Sequence, residues 1–223
     1  MIIQKATFVD LAKVESTKYT LLRRLGFVFR HHLVGSMQPL NIMCQVMHLK
    51  LKSAPIDVAA MGESIDKTSG LVSRAINSSL DVIAWLSVDE SSTVEIGSGV
   101  QDCIYHLESS LSFRGFEILH EKSNLNFKVN AAALREVLSA AVLAAADHAE
   151  GRSEIEIRIL AITDTVEVTL QMHRGTNDST AEMDAYRLIQ WDEVERLAQS
   201  HGVGLQHALN EVVKIQLERC VVA

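Results

Sequence analysis

The sequence has little proline and few cysteines. Only 2 prolines and 3 cysteines occur in 223 residues, of which 48% are hydrophobic. This composition is typical of a well-ordered globular protein long enough for two modest domains. Cys44, Cys103 and Cys220 are scattered and odd in number, without the paired spacing of zinc ligands. We therefore expect reduced, mostly buried thiols rather than a disulfide framework or a zinc site.

Long apolar runs and basic clusters are missing as well. No apolar run approaches the roughly 20 residues that span a bilayer, and the first residues lack the basic head and apolar core of a signal peptide. The formal net charge is -7, and no basic run is present. The 9 histidines include no pair four residues apart. We therefore expect a cytoplasmic protein without a nucleic-acid partner, a membrane partner or a bound metal.

The first part of the chain has the pattern of two long helices. Apolar residues recur at three- and four-residue steps, the period of one helix face. In the first helix they are Leu22, Leu25, Phe29, Leu33, Leu40, Met43, Met47 and Leu51, and in the second Val58, Met61, Ile65, Val72, Ile76, Leu80, Ile83 and Leu86. Ser53–Asp57 predicts the turn between them, because Pro55 cannot continue a helix and Asp57 can cap the next one.

This helical hairpin cannot cover both apolar stripes by itself. Dimerisation into a four-helix bundle would cover them, and packing on the second half of the same chain is the alternative. Within the first helix, Gly26, Gly35 and Pro39 weaken the hydrogen bonding, so we expect a kink or a loosened turn there. Such an irregularity is either a harmless bend or a point at which the helix must flex near a reacting side chain.

His31 stands out on the first helix. It lies two residues after Phe29 and two before Leu33, so a step of about 100° per residue places it opposite the apolar stripe. A nucleophile that reacts with a large protein partner needs such a position, whereas an ordinary solvated histidine is the alternative. His32 falls back toward the stripe, which indicates a packing or hydrogen-bonding role.

The second part of the chain alternates between strand and helix patterns. A polar break at Asp89–Ser92 predicts a boundary, which gives domains 1–90 and 91–223. Predicted strands are 94–96, 116–120, 125–129, 154–160, 165–170 and 212–217, and predicted helices are 100–113, 131–148 and 183–200. The 154–170 segment predicts a hairpin, and Gly202 and Gly204 predict a turn. The expected fold class is α+β, with one mixed sheet and helices on one face.

This order of elements resembles the core of sensor histidine kinases, a dimerisation and histidine-phosphotransfer hairpin followed by a GHKL-type ATPase domain. His31–Met37 is similar to the family's H-box, in which His31 matches the phosphoacceptor histidine and Leu33 matches the leucine of the motif. Segment 94–118 is similar to the entry into the ATPase domain, and Ala198–Leu205 to its last helix-to-strand turn. Gly202 and Gly204 can also be interpreted as a remnant of a glycine box.

The chain departs from the family at the positions that bind nucleotide. His32 replaces the acidic residue that acts as general base, and Ala144 and Ala140 stand where the family has asparagines, the first of them a magnesium ligand. Gln171–Gly175 lacks the aspartate that recognises adenine, and Thr176–Thr180 replaces the glycine-rich lid. Alanine offers no oxygen to a hard cation. We therefore expect no ATP and no cofactor on this chain, and no autokinase activity.

Dimeric histidine phosphotransferases with a vestigial ATPase domain are the family members that the chain resembles most. The resemblance implies that His31 carries a phosphoryl group between response-regulator receiver domains, one of which can belong to a hybrid histidine kinase. The receiver would supply the magnesium. Supporting roles fall to His32, to Arg30 as a guide for the phosphoryl group, and to Ser36 and Gln38 as groups that orient His31. An active kinase core and a non-phosphorylated dimeric scaffold remain as alternatives.

Overall fold

The computed structural model describes residues 11–52, 55–87, 91–149, 151, 153–174, 187–208 and 212–220. These residues form two compact units. One unit is Gly26–Val88, and the other combines Met1–Leu25 with Asp89–Ala223. The start of the first helix therefore belongs with the C-terminal part of the chain, which the sequence pattern did not predict.

The two predicted helices are present. Helix α1 is Leu11–Lys52 and continues without a break through its glycines and Pro39, and α2 is Val58–Leu86. Asp57 caps α2 as predicted, because its side chain accepts a hydrogen bond from the backbone N–H of Ala60 at 3.0 Å. The turn around Gly35 and Pro39 that was expected to be loosened therefore does not interrupt the helix.

Within the Gly26–Val88 unit, α1 and α2 form an antiparallel hairpin. Near the turn, Lys50 Nζ donates to Ser64 Oγ at 2.8 Å. Toward the other end, the rings of Phe29 and Trp85 meet edge-on with centroids 5.6 Å apart. These contacts fix the register of the hairpin.

The apolar stripe predicted for α2 is not the face that α1 covers. The residues of α2 that are buried are Ser64, Ala75, Val82 and Trp85. The stripe residues Val58, Ile65, Val72, Ile76, Leu80, Ile83 and Leu86 are exposed in the single chain. In α1, the predicted stripe residues Leu22 and Leu51 are also exposed. The sequence analysis predicted that the hairpin alone does not cover both stripes, and the exposed stripe residues of α2 agree with this; their burial by a second copy stays a prediction.

The second unit contains seven strands and three further helices among its described residues. They are β1 Thr93–Glu95, α3 Ile96–Phe113, β2 Glu117–His120, β3 Lys128–Asn130, α4 Ala131–Asp147, β4 Ser153–Ile162, β5 Thr165–Arg174, α5 Trp191–Ser200, β6 Gly204–Ala208 and β7 Val212–Glu218. Asn130 caps α4, because its side chain accepts a hydrogen bond from the backbone N–H of Ala133 at 2.8 Å. The predicted order of elements is confirmed, with β6 as an addition.

The strands form two sheets rather than the single predicted sheet. The larger has the order β2-β4-β5-β7-β6, in which β2 runs parallel to β4 and the other neighbours are antiparallel. Strands β1 and β3 pair separately. Strand β6 was missed because it is only five residues long and begins at Gly204, which the sequence pattern assigned to a turn. The helix predicted over 183–200 is found only over Trp191–Ser200, because 187–190 are not helical, and residues 183–186 lie outside the described part of the chain.

Helix α4 and one face of the large sheet supply the core of this unit. Nearly every residue of α4 is buried, and so are alternate residues of the central strands, among them Ile155, Ile157, Val166, Val168, Leu170, Val213 and Ile215. The fold class is α+β, two long N-terminal helices followed by an α/β sandwich, as predicted. The four-helix dimer stays a prediction. No helix in the described part of the chain is long and apolar enough to cross a membrane.

Candidate functional site

The structure places His31 on the exposed face of α1. Val28 and Phe29 define the opposite face, with 1% and 5% of their surface exposed. Phe29 is held by the ring of Trp85. His31 lies two residues beyond Phe29, so the packing that fixes Phe29 also turns the imidazole of His31 toward solvent. A protein partner can therefore reach this imidazole.

His32 is half-buried beside it. The two imidazole centroids are 6.4 Å apart. Burial lowers the pKa of His32 from its usual value, and the charge of His31 lowers this pKa further. The ring is therefore neutral near pH 7, and it offers one hydrogen-bond donor and one acceptor. It can hydrogen-bond a group brought to His31, but it does not supply negative charge there.

The other predicted supporting residues have different surroundings. Arg30 is exposed, and its guanidinium carbon lies 5.7 Å from the ring centroid of Phe27. Ser36 donates its hydroxyl hydrogen to the carbonyl of Leu33 at 2.9 Å, so this bond stays within the helix. Gln38 is exposed and lies seven residues, about 10 Å along the helix, beyond His31. The roles of Arg30, Ser36 and Gln38 stay predictions.

The two alanines of α4 that the resemblance assigned to a nucleotide site are buried. Ala140 and Ala144 each have 0% of their surface exposed. At the end of the helix, the imidazole Nδ1 of His148 lies 2.9 Å from the carbonyl oxygen of Ala144. Thr176–Thr180, the predicted lid replacement, lies outside the described residues. The described surface of α4 therefore presents neither a ligand atom nor an open side chain at these two positions.

A buried charge cluster lies at the last residue of α4. The side chain of Asp147 has 0% of its surface exposed. It accepts two hydrogen bonds from Arg24, at 2.8 and 2.9 Å, and one from the backbone N–H of Ile189 at 3.0 Å. Arg114 Nη1 lies 3.0 Å from the same carboxylate. Asp147 thus connects α1, the end of α3, α4 and the segment before α5.

The sequence analysis did not identify this cluster. Its one available signal was a single aspartate at the end of Leu134–Ala146, a stretch dominated by apolar residues. A charge in that position needs buried partners. The partners themselves, Arg24 and Arg114, are far away in the chain and have no distinguishing spacing.

The structure also contains a cleft of about 1160 Å³ at one edge of the large sheet. It is lined by 118–125 and 156–159 and contains none of the predicted site residues. On its wall, hydrogen bonds from His173 and then Arg158 lower the pKa of Glu156. Charges of both signs line this open cleft, so it favours no single ligand class. Among the described residues, no group of three or more His, Cys, Asp or Glu side chains could hold a metal ion.

Comparisons with known proteins find distant structural likenesses. No protein-family model and no curated protein matches the chain. Among solved structures, histidine kinase AdeS of Acinetobacter baumannii has a TM-score of 0.45 at 12% identity, over 81% of this chain and 97% of that one. A histidine kinase from Burkholderia phymatum has a TM-score of 0.41 at 12% identity, over 89% and 96%. A bacterial phosphotransferase has a TM-score of 0.39 at 12% identity, over 89% and 95%. Likenesses this distant carry no conclusion about activity.

Proposed function

We propose that this protein is a phosphoryl carrier of two-component signalling, which accepts a phosphoryl group on His31 from one receiver domain and donates it to another. The observation that carries the proposal is the combination of an exposed His31 with fully buried alanines at both positions where a kinase of the resembled family has asparagines. The acceptor is available to a protein, whereas the chain offers no ligand atoms for its own magnesium–ATP at those positions.

The chemistry needs little from the chain beyond His31. The unprotonated nitrogen of the neutral imidazole attacks the phosphorus of an aspartyl phosphate in line. An N–P bond forms as the bond from phosphorus to the aspartyl oxygen breaks, and the electron pair returns to the carboxylate. The receiver brings the magnesium ion that neutralises the charge of the phosphoryl group. In the return step the N–P bond breaks as a bond forms between phosphorus and the aspartate oxygen of a second receiver.

The residues beside His31 suit this step better than autophosphorylation. Neutral His32 adds no negative charge next to an incoming phosphoryl group, and the exposed guanidinium of Arg30 can attract the acidic pocket of a receiver. Attack on an acyl phosphate needs less assistance than attack on ATP, because the leaving group is a carboxylate. The absence of a carboxylate at position 32 is therefore tolerable in a carrier.

We also propose that the carrier works as a homodimer through α2. Val58, Ile65 and Val72 repeat every seven residues on its exposed face, with Ile76 and Ile83 in the same seven-residue relation beside them. A second copy would cover this stripe and form the four-helix bundle.

The test is phosphoryl transfer to the full-length protein from receiver domains of the same organism that have been phosphorylated beforehand, beside a parallel reaction with labelled ATP. His31→Ala removes the acceptor, and His48→Ala is the matched control, since His48 is another exposed histidine of the same helix. We expect label from the receiver in the wild type and in His48→Ala, none in His31→Ala, and none from ATP in any variant. Label arriving from ATP would show that the chain is a kinase. The absence of label from any receiver would overturn the carrier and favour the non-phosphorylated scaffold.

A further inference from the structure

Phe27 is an exposed aromatic residue on the side of α1 that carries His31. It has 48% of its surface exposed, whereas Val28 and Phe29 beside it are buried. The core of the hairpin therefore uses its neighbours and leaves Phe27 outside. Phe27 precedes His31 by one helical turn, so a step of about 100° per residue leaves the two side chains about 40° apart around the helix.

The ring of Phe27 holds the side chain of Arg30. The guanidinium carbon lies 5.7 Å from the ring centroid, within the range of a cation–π contact. Around the helix, Phe27 lies between Arg30 and His31, about 60° from the first and about 40° from the second. The contact therefore turns the guanidinium toward the His31 side of α1.

His31 and Arg30 also cover the same turn of α1. Long side chains on an α-helix point back toward its N-terminus, so both reach over the turn that carries Phe27. The helix has no acidic residue after Glu15, so no carboxylate of its own draws Arg30 away. The planar guanidinium suits the oxygens of a phosphoryl group, and an arginine that is already held loses less conformational freedom when it binds them.

We propose that Phe27 is a positioning residue for phosphoryl transfer, which holds the guanidinium of Arg30 on the His31 side of α1 before the phosphoryl group arrives. Arg30 donates hydrogen bonds to the phosphoryl oxygens while the imidazole of His31 forms the N–P bond. Phe27 contacts neither reacting group and acts through Arg30. This inference rests on the proposed phosphoryl transfer to His31.

The variants separate positioning from packing. Phe27→Leu keeps an apolar side chain but removes the ring face, whereas Phe27→Tyr keeps the ring. Arg30→Ala removes the positioned group, and its combination with Phe27→Leu shows whether Phe27 acts through Arg30. Tyr19→Leu is the matched control, because Tyr19 is another exposed ring of α1 under an arginine, with the guanidinium carbon of Arg23 6.0 Å from its centroid.

The first measurement is the rate constant of phosphoryl transfer from a phosphorylated receiver domain to the full-length protein. We expect Phe27→Leu to slow transfer about two- to fivefold, the effect of an exposed cation–π contact. The double variant should be as slow as Arg30→Ala, while Phe27→Tyr and Tyr19→Leu keep the wild-type rate. Additive slowing in the double variant, slow transfer in Phe27→Tyr or wild-type transfer in Phe27→Leu would each overturn the positioning role.

A second measurement separates this inference from the proposed function. Phosphoramidate phosphorylates imidazole with release of ammonia, so it charges His31 without a receiver, and His31→Ala identifies the resulting ³¹P NMR signal. A guanidinium held nearby stabilises the dianionic phosphoryl group, so this signal should titrate at lower pH in the wild type and Phe27→Tyr than in Phe27→Leu. Identical titrations would overturn the positioning role. The expected titration difference without transfer from any receiver would overturn the carrier alone.

Discussion

At the residue scale, His31 and His32 illustrate how one helix gives two adjacent imidazoles different roles. Successive residues are rotated by about 100° on a helix, so one ring is exposed while the other is half-buried. The exposed ring can meet a partner. The half-buried ring loses solvation and lies near the first, and both effects disfavour its protonated form.

His32 should therefore titrate below the ordinary histidine value of 6.5 in the folded protein. We expect His31→Gln to raise the pKa of His32 only part of the way back, because burial is the larger cause and remains. Measuring the two imidazole titrations by NMR checks this. Because the folded state binds this proton less readily than the unfolded chain, the stability attached to neutral His32 is present above about pH 6.5 and is lost as the pH falls toward the folded pKa. A His32 pKa above 6.5 would contradict the account.

At the element scale, helical periodicity predicted the existence of α1 and α2 and the apolar stripe that the hairpin leaves uncovered. The period identifies an apolar face, but it does not identify the residues that α2 buries within the hairpin, among which are both Ala75 and Trp85. Strand β6 escaped prediction because a five-residue strand beginning with glycine carries little pattern. The position of His31 followed from its neighbours alone, whereas the Asp147 cluster depends on tertiary contacts that no local pattern records.

Gly35 gives a direct test of the continuous α1 helix. Nothing lies within 4 Å of a Cβ placed there, so Gly35→Ala should stabilise the protein by about 0.5–1 kcal/mol through helix propensity. Urea unfolding followed by circular dichroism measures this change.

Gly202→Ala is the contrasting variant for that experiment. Gly202 has a φ of +67°, which an alanine adopts only with strain, so this substitution should destabilise the protein. If Gly35→Ala were destabilising too, the helix would not be regular at that position. If it stabilised the protein but slowed phosphoryl transfer, the flexible interpretation of the helix would be correct.

At the scale of the whole molecule, the exposed stripe on α2 should determine the oligomeric state. Ile76 has 54% of its surface exposed in the single chain, so a charge there leaves the folded chain intact but opposes burial against a second copy. We expect Ile76→Glu to be a monomer where the wild type is a dimer, by light scattering after size-exclusion chromatography. Asn77→Glu adds the same charge on the neighbouring exposed position and should remain dimeric. A monomeric wild type would refute the dimer.

The central claim is that His31 is the chemical acceptor and that receivers, not ATP, are its donors. The most direct measurement is to incubate the full-length protein briefly with a receiver domain charged by a small phosphodonor, and then to map the phosphorylated residue by mass spectrometry under conditions that preserve phosphohistidine. The account predicts phosphate on His31 alone, and none on the protein when the receiver is replaced by magnesium–ATP. Phosphate on another residue, or on His31 from ATP without a receiver, would contradict it.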